Sequence, residues 1–182
     1  MHPNFIVVLE GADNLGKTTV ARNLCRLLNL QYIKFPNELF LTGDMIRKRL
    51  KGELFLDPSF FQLLNLVNQI QTMKTLSGNV LCDRYYISTK IYAQTEYVSL
   101  DWIDEVIHLL PEPDLTFIFT GRPFEEDDEH FQYQQKQTSK YYEQFLKENK
   151  DNKKVIAINA NRPEGEVMYE IMNKIWSHEN YY

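Results

Sequence analysis

The residues best suited to chemistry lie near the amino terminus, in the segment Gly11-Ala12-Asp13-Asn14-Leu15-Gly16-Lys17-Thr18. This is a complete GxxxxGK[ST] motif, whose glycines let the backbone turn tightly and point its N–H groups at phosphate oxygens. Lys17 is placed to bind the β- and γ-phosphates of ATP, and the Thr18 hydroxyl is placed to ligate Mg²⁺. The residues of this region predicted to bind ATP are Gly11, Asn14, Leu15, Gly16, Lys17, Thr18 and Thr19.

A second candidate site is the dipeptide Asp83-Arg84, which follows the apolar run Asn79–Cys82. In a parallel sheet, a carboxylate at the end of such a strand lies beside the phosphate loop, where it can hold a metal-bound water. The guanidinium of Arg84 can bind a phosphate through two hydrogen bonds. We therefore predict that Asp83 and Thr18 form a Mg²⁺ site and that Arg84 binds a phosphate.

These segments need a scaffold that brings the ends of several strands together. Short apolar runs, each separated from the next by a helix-like stretch, occur at Phe5–Leu9, Gln31–Phe35, Asn79–Cys82, Leu115–Phe119 and Val155–Ile158. Such alternation predicts an α/β fold of the P-loop NTPase type, with a five-stranded parallel sheet and helices on both faces. Helices are predicted at Lys17–Leu28, Gly43–Lys51, Pro58–Leu76, from Tyr86 onwards, and at Asp101–Leu110, Phe131–Glu148 and Pro163–Trp176.

The composition and net charge of the chain indicate which classes of protein it can belong to. The 182 residues are 43% hydrophobic and 25% charged, which is ordinary for one globular domain, so we predict a single domain over 1–182. The net charge of -5 argues against a nucleic acid as the main partner. Cys25 and Cys82 have no metal-ligand spacing, so buried free thiols in a reducing cytoplasm are predicted. The absence of a signal peptide or long apolar run predicts a cytoplasmic protein without membrane contact.

Beyond the phosphate loop, the chain resembles the thymidylate kinases across nearly its whole length. The resemblance rests on Asp13 in the phosphate loop, Lys34-Phe35-Pro36, Asp83-Arg84-Tyr85 with Ser88, Pro111–Asp114, Phe131-Gln132 and Asn159-Ala160-Asn161-Arg162-Pro163. It implies a mobile lid at about 121–130 and Mg²⁺-dependent transfer of the γ-phosphoryl group of ATP to dTMP. It also implies that the loop containing Asn161 and Arg162 contacts the adenine of ATP.

The resemblance further implies which residues bind the nucleotide that accepts the phosphoryl group. Asp13 matches the acid that holds the sugar 3′-hydroxyl, and Arg84 matches the arginine that contacts the phosphate. Tyr92 falls where the family places an aromatic residue near the sugar 2′ position; it acts as a steric filter for deoxyribose or only packs its helix. The residues predicted to bind the acceptor are Asp13, Phe35, Pro36, Asn68, Gln69, Arg84, Ser88 and Tyr92.

The chain departs from the family pattern where positive charge or stacking is expected. The family usually has an arginine shortly after the Phe-Pro pair, but this chain has Asn37-Glu38 there. In the long helix the family has an Asn-Arg pair at the base and an aromatic residue just before it, and this chain has Asn68-Gln69 and Asn65. Some members carry a basic residue in the phosphate loop at the position of Asn14. The Gln69 amide can still hydrogen-bond a pyrimidine edge. Three nearby cations could compensate for the missing arginines, although the last two also fit a solvated helix face: Lys34, Arg47 and Arg49.

In the predicted lid, Arg122 is the candidate for an arginine that reaches the transferring phosphoryl group when the lid closes. It also fits a simple ion pair with Glu125 or Glu126. The residues predicted to be catalytic are Lys17, Asp13, Arg84 and Arg122.

The predicted function is ATP-dependent phosphorylation of a deoxynucleoside monophosphate, most directly dTMP to dTDP. The missing arginines leave open a kinase for a nucleoside or a modified pyrimidine nucleotide; a nucleoside acceptor would require Asp13 or Asp83 as a base. A nucleotide-dependent switch is a third hypothesis. Because thymidylate kinases commonly pair through the helix that corresponds to Pro58–Leu76, a homodimer is also expected.

Overall fold

The computed structural model describes residues 3–124, 129–178 and 181, apart from the side chains of residues 129–131. Within these ranges the strands form one sheet in the order β2-β3-β1-β4-β5, and every pair of neighbours is parallel. The predicted five-stranded parallel sheet is therefore confirmed. The strands are β1 (Phe5–Gly11), β2 (Gln31–Lys34), β3 (Asn79–Asp83), β4 (Leu115–Thr120) and β5 (Val155–Asn159).

Helices follow the strands and cover both faces of the sheet. They are α1 (Lys17–Leu28), α2 (Leu41–Leu50), α3 (Pro58–Met73), α4 (Tyr86–Thr95), α5 (Asp101–Ile107), α6 (Glu129–Glu148) and α7 (Glu164–Trp176). The apolar spacing predicted α1 with the same bounds, whereas α3 and α5 end three residues earlier than predicted. None of the helices in the described ranges is both long and apolar enough to cross a bilayer.

The starts of α2 and α6 each lie two residues before the predicted ones. Gly43, predicted as the first residue of its helix, is the third residue of α2, and a side chain at this position would collide with the carbonyl oxygen of Asn37. Helix α6 begins at Glu129, two residues before the predicted start, so residues 129 and 130 are helical rather than part of the predicted lid. An acidic residue is favoured in the first turn of a helix. Most of the acidic run at 125–129 lies outside the described residues.

The core has one layer on each face of the sheet because side chains alternate along the central strand β1. Phe5, Val7 and Leu9 pack on one face with residues of α1 and α7, while Ile6 and Val8 pack on the other face with residues of α3 and α5. All seven residues of β1 are buried. The phosphate loop therefore starts at the end of a fully buried strand, and the carboxyl ends of β1 and β3 lie side by side, with Leu9 paired to Asp83.

Candidate active site

The phosphate loop connects β1 to α1 with backbone conformations that suit its sequence. Gly11, Asn14 and Gly16 have positive φ angles of 131°, 55° and 75°. A Cβ on Gly11 would lie 2.5 Å from the carbonyl oxygen of Phe119. Glycine is thus required at position 11, while asparagine is among the residues that tolerate the left-handed region at position 14.

Lys17 begins α1 and is buried beneath this loop. Its ammonium group donates a hydrogen bond to the carbonyl oxygen of Ala12. Burial, followed by the positive charge of Arg84, lowers the pKa of Lys17 to about 7. A polyanion placed against this amine would restore its preference for the charged form, as expected for a lysine that binds phosphates.

The predicted Mg²⁺ site brings together the Thr18 hydroxyl and the Asp83 carboxylate, which are 2.6 Å apart. Asp83 is buried and also accepts a hydrogen bond of 3.0 Å from the Tyr32 hydroxyl. In the described part of the chain no three acidic, histidine or cysteine side chains cluster as a ready-made metal site. One hydroxyl and one carboxylate fit Mg²⁺, which usually keeps several waters and binds phosphates with few protein ligands.

Arg84, predicted to bind the acceptor phosphate, lies beside the phosphate loop in a left-handed conformation, with φ of 71°. Its guanidinium donates hydrogen bonds of 3.1 Å to the Gly11 carbonyl and to the Ser88 hydroxyl, and it forms an ion pair with Asp13. It also lies over the Tyr92 ring, 5.6 Å from the ring centroid. These contacts hold the guanidinium beside the loop that would carry the donor phosphates.

Asp13 contacts both Arg84 and Tyr92, and these three residues form the predicted acceptor cluster. The Tyr92 hydroxyl donates a hydrogen bond of 2.9 Å to its carboxylate. Burial alone would raise the pKa of Asp13, but the positive charges of Arg84 and Lys17 outweigh it and hold that pKa below its usual value. Asp13 is therefore ionised at neutral pH and is suited to accept hydrogen bonds rather than to remove a proton.

Glu10, which no sequence motif singled out, is hydrogen-bonded to residues next to the predicted acceptor cluster. Its fully buried carboxylate accepts hydrogen bonds from the backbone N–H groups of Tyr85 at 2.8 Å and Ser88 at 3.0 Å. It also accepts from the hydroxyls of Ser88 and Tyr142. The hydroxyl of Ser88, a residue predicted to bind the acceptor, is therefore already hydrogen-bonded to Glu10 and Arg84. An acid within an apolar strand was the one available sequence signal for Glu10.

Asn68 and Phe35 shape the loop after β2. The Asn68 side chain is buried, accepts from the Asn37 backbone N–H at 2.8 Å, and donates to the Asn37 carbonyl at 3.0 Å and the Thr42 hydroxyl at 2.9 Å. Phe35 is buried, and its ring centroid lies 5.7 Å from that of Tyr85. Pro36, which follows it, is half-buried. The Asn68 amide therefore positions the loop that begins at Phe35 and Pro36, and its predicted contact with the acceptor stays a prediction.

Only one of the three candidate compensating cations lies at the phosphate site. The Lys34 ammonium is 3.9 Å from Asp83 and 3.5 Å from the Thr18 hydroxyl. Arg47 instead pairs with Glu38 at 2.9 Å, and Arg49 pairs with Glu96 at 3.2 Å. Their charges are thus neutralised locally, while Lys34 adds positive charge beside the predicted metal site.

The predicted adenine side is a cleft of about 350 Å³. It is lined by Leu15, Gly16, Thr19, Val20, Phe119, Phe124, Ala160, Arg162, Glu164 and Val167. Arg162 forms an ion pair with Glu170. Mostly apolar walls next to the phosphate loop suit a purine ring, and the lining includes three predicted ATP-binding residues besides Arg162.

Arg122 lies in the loop after β4, where its backbone is hydrogen-bonded to the loop after β5. Its N–H donates to the Asn161 side chain, which in turn donates to the Arg122 carbonyl at 2.8 Å. The Arg122 side chain is exposed. The alternative pairing with Glu125 or Glu126 falls on residues outside the described ranges, so both interpretations of Arg122 stay open as predictions.

Helix α6 contacts the acceptor cluster in a way that the sequence did not predict. The Gln135 side chain donates a hydrogen bond of 2.8 Å to the Asp13 carbonyl. The Tyr142 hydroxyl lies 3.0 Å from that of Ser88. The helix that follows the lid region is therefore bonded to the phosphate loop and to the residues that hold Arg84.

A phosphate loop, a strand-end aspartate and a clamped arginine on a five-stranded parallel sheet define a P-loop phosphotransferase. The family model described as "Thymidylate kinase" matches residues 9–171. The chain therefore belongs to the thymidylate kinase family.

Individual relatives agree with this placement. A probable thymidylate kinase of Sulfolobus acidocaldarius is 26% identical over 98% of this chain and 100% of its own length. The putative thymidylate kinase 251L of Invertebrate iridescent virus 6 is 27% identical over 64% of this chain, and that match spans only 60% of the viral protein. The thymidylate kinase structure from Candida albicans shares the fold, with a TM-score of 0.77 at 20% identity, covering 98% of this chain and 93% of the fungal one.

Proposed function

We propose that the protein transfers the γ-phosphoryl group of ATP to the phosphate of dTMP, producing ADP and dTDP. The observation that carries the proposal is the cluster of Asp13, Arg84 and Tyr92 directly beside the phosphate loop. It offers a cation for an acceptor phosphate and a carboxylate for a sugar hydroxyl at the place where a γ-phosphoryl group would be presented.

The donor is held by the first turn of α1 and the loop before it. Backbone N–H groups of the phosphate loop and the helix amino terminus attract the phosphates, and Lys17 neutralises charge on the oxygens that are transferred. Thr18 and Asp83 would hold Mg²⁺, which when bound offsets negative charge on the phosphates of ATP. Lys34, next to this pair, adds to the positive potential.

The acceptor is held by the opposite side of the same loop. Arg84 would bind the acceptor phosphate, and Asp13 would accept a hydrogen bond from the sugar 3′-hydroxyl. An oxygen of the acceptor phosphate attacks the γ-phosphorus, and the bond from that phosphorus to the oxygen bridging it to the β-phosphate breaks. Because a monophosphate is already anionic at neutral pH, the chain needs to position it but not to deprotonate it.

The same geometry weighs against the nucleoside alternative, in which Asp13 or Asp83 would serve as a base. The lowered pKa of Asp13 and its ion pair with Arg84 make it a weak base. Asp83 already accepts hydrogen bonds from Thr18 and Tyr32. The cluster also weighs against a nucleotide switch, because a switch needs no second cation and carboxylate beside the phosphate loop.

The test is ADP formation from ATP with dTMP, dUMP, thymidine or no acceptor, with Mg²⁺ and with excess chelator. We expect turnover that requires Mg²⁺ and dTMP and a kcat/KM for dTMP at least about tenfold above that for thymidine. ADP formation that is equally fast without an acceptor would instead support the switch. Equal or faster turnover with thymidine would support the nucleoside kinase.

The prediction for Tyr92 concerns a ring that lies 5.6 Å from the Arg84 guanidinium and whose hydroxyl donates to the Asp13 carboxylate. If the ring blocks a 2′-hydroxyl, Tyr92→Ala removes a steric penalty, so the ratio of kcat/KM for dTMP to that for its ribose counterpart should fall by about tenfold. Tyr92→Phe is the matched control: it keeps the ring and removes only the hydroxyl that donates to Asp13. An unchanged ratio in Tyr92→Ala would make Tyr92 a packing residue.

We propose a homodimer that forms through α3. Its outward side carries Phe60, Leu63 and Val67, at helical spacing and with 46%, 37% and 41% of their surfaces exposed. Such a row of apolar side chains supports burial against a second copy. A cytoplasmic location without nucleic-acid or membrane partners remains the expectation, supported by the net charge of -5 and the buried free thiols of Cys25 and Cys82.

A further inference from the structure

Glu10 is a fully buried acid near the carboxyl end of the central strand β1. One oxygen of its carboxylate accepts from the backbone N–H groups of Tyr85 and Ser88, and the other accepts from the hydroxyls of Ser88 and Tyr142. A buried carboxylate destabilises a fold unless hydrogen bonds and an opposite charge compensate it. Because 0% of Glu10 is exposed, it cannot touch a substrate, so any part it has in the reaction acts through a neighbour.

The neighbour that carries the opposite charge is Arg84. The Ser88 hydroxyl accepts a hydrogen bond of 3.1 Å from the Arg84 guanidinium and donates to the Glu10 carboxylate, so it joins the two charged groups. Burial raises the pKa of Glu10, while the Ser88 hydrogen bond and the positive charge of Arg84 act in the opposite direction. In a buried setting the two groups therefore stabilise each other's charged form.

Glu10 also fixes the backbone at Arg84. The φ angle of 71° is unfavourable for a residue with a side chain, and such a conformation persists only where its surroundings enforce it. On one side the Arg84 N–H donates to the Leu9 carbonyl at 2.9 Å, and on the other side the Tyr85 N–H donates to the Glu10 carboxylate at 2.8 Å. The peptide units before and after Arg84 are thus both held by consecutive residues of β1.

Asp13 is a different kind of partner for Arg84, because the acceptor competes for it. Its side chain is 47% exposed, and the proposed function assigns its carboxylate to the sugar 3′-hydroxyl. Once the acceptor phosphate lies on Arg84, the guanidinium needs an anchor that no substrate contacts. The Gly11 carbonyl and the Ser88 hydroxyl are such anchors, and the Ser88 hydroxyl leads to a negative charge.

We propose that Glu10 is a positioning residue for phosphoryl transfer: through Ser88 and the Tyr85 N–H, it holds the Arg84 guanidinium in the orientation that receives the acceptor phosphate. This inference rests on the proposed function. Because Glu10 stays in place when Asp13 turns to the sugar, Arg84 is already oriented and loses little conformational freedom when the acceptor binds. Loss of Glu10 should therefore weaken dTMP binding and leave the donor side unchanged.

The first test is steady-state kinetics of Glu10→Gln, which keeps the shape of the side chain and one oxygen for the two backbone N–H groups but removes the charge. We expect the KM for dTMP to rise at least about tenfold and the KM for ATP to stay within about twofold of the parent. Ser88→Ala removes the hydroxyl that joins Glu10 to Arg84 and should have a similar effect. Ser88→Ala also decides the question if Glu10→Gln does not fold. A parental KM for dTMP in either folded variant overturns the inference.

The second test repeats both substitutions in an Arg84→Ala background, because residues that act through one another have non-additive effects. There, Glu10→Gln and Ser88→Ala should each change kcat/KM for dTMP by less than about twofold. The same factor in both backgrounds would mean that the two residues act independently of Arg84, and this would overturn the inference.

Asp114→Asn is the matched control for a loss of stability. The Asp114 carboxylate accepts a hydrogen bond of 2.8 Å from the Ile6 N–H, near the opposite end of β1. The substitution should lower the midpoint of thermal unfolding and leave the KM for dTMP at the parental value. A comparable rise in that KM in Asp114→Asn would attribute the effect of Glu10→Gln to general destabilisation and overturn the inference.

The guanidinium signals of Arg84 in nuclear magnetic resonance spectra of ¹⁵N-labelled protein provide a readout that needs no substrate. Hydrogen-bonded N–H protons are protected from exchange with water. The Arg84 signals, identified by their loss in Arg84→Ala, should be protected in the parent and in Asp114→Asn and lose protection in Glu10→Gln. Unprotected signals in the parent, or unchanged ones in a folded Glu10→Gln, overturn the inference. If the parent does not phosphorylate dTMP, the proposed function fails, and these signals still show whether Glu10 positions Arg84.

Discussion

Replacing Lys17 with alanine is expected to lower kcat at least about a hundredfold while leaving the fold intact. The physical reason is that the Lys17 ammonium would stabilise charge on the transferring phosphoryl group mainly in the transition state. The fold should survive, because the substitution removes a buried amine whose pKa is already lowered by burial rather than a member of the apolar core. The measurements are steady-state kinetics with ATP, Mg²⁺ and dTMP, and thermal unfolding of the variant.

The pH dependence of the parent supplies a second readout of the same assignment. A lysine with a pKa of about 7 loses its proton as the pH rises above neutrality, and only the protonated form attracts the phosphates. The kcat/KM for ATP should therefore fall on the alkaline side of about pH 7, and this limb should disappear in Lys17→Ala. Lys153→Ala, at an exposed position, is the control. A folded Lys17→Ala variant with parental kcat would refute the assignment of the phosphate loop.

Replacing Arg84 with alanine is expected to lower kcat/KM for dTMP by about two to three orders of magnitude, chiefly through a higher KM for dTMP. A charge-assisted contact with a partly buried anion is lost. Arg47 and Arg49 are not placed to replace it, because they pair with Glu38 and Glu96 and do not lie at the phosphate site. The KM for ATP should change much less, because Lys17 and the phosphate loop hold the donor.

Two comparisons make the Arg84 prediction specific. Thymidine has no phosphate, so its weaker turnover should be far less sensitive to Arg84→Ala than that of dTMP. Arg47→Ala removes an arginine that pairs with Glu38 at the surface, and it should leave both acceptors nearly unaffected. An equal loss for dTMP and thymidine in Arg84→Ala would show that Arg84 supports the loop through Gly11 and Asp13 without binding the acceptor phosphate.

Local patterns in the sequence determined the order of the elements and the donor side of the site. Lys17 and Thr18 belong to a motif that follows a buried strand and whose glycine spacing determines the backbone conformation. Their surroundings are therefore formed by a few consecutive residues, which can be recognised in the sequence. Asp83 could be placed beside them because parallel strands end at a common edge. The 2.6 Å contact between Thr18 and Asp83 agrees with that expectation.

Only the tertiary structure decided how the acceptor side is held, because its contacts join residues far apart in the chain. Glu10 on β1 is hydrogen-bonded to Ser88 of α4 and Tyr142 of α6, and Gln135 of α6 donates to the backbone carbonyl of Asp13. No periodicity or motif in the sequence marks these side chains, because their partners depend on how the helices pack against the sheet. For the same reason, the sequence identified Gln69 as a departure from the family, whereas only the structure shows that its buried amide donates to the Thr89 hydroxyl of α4.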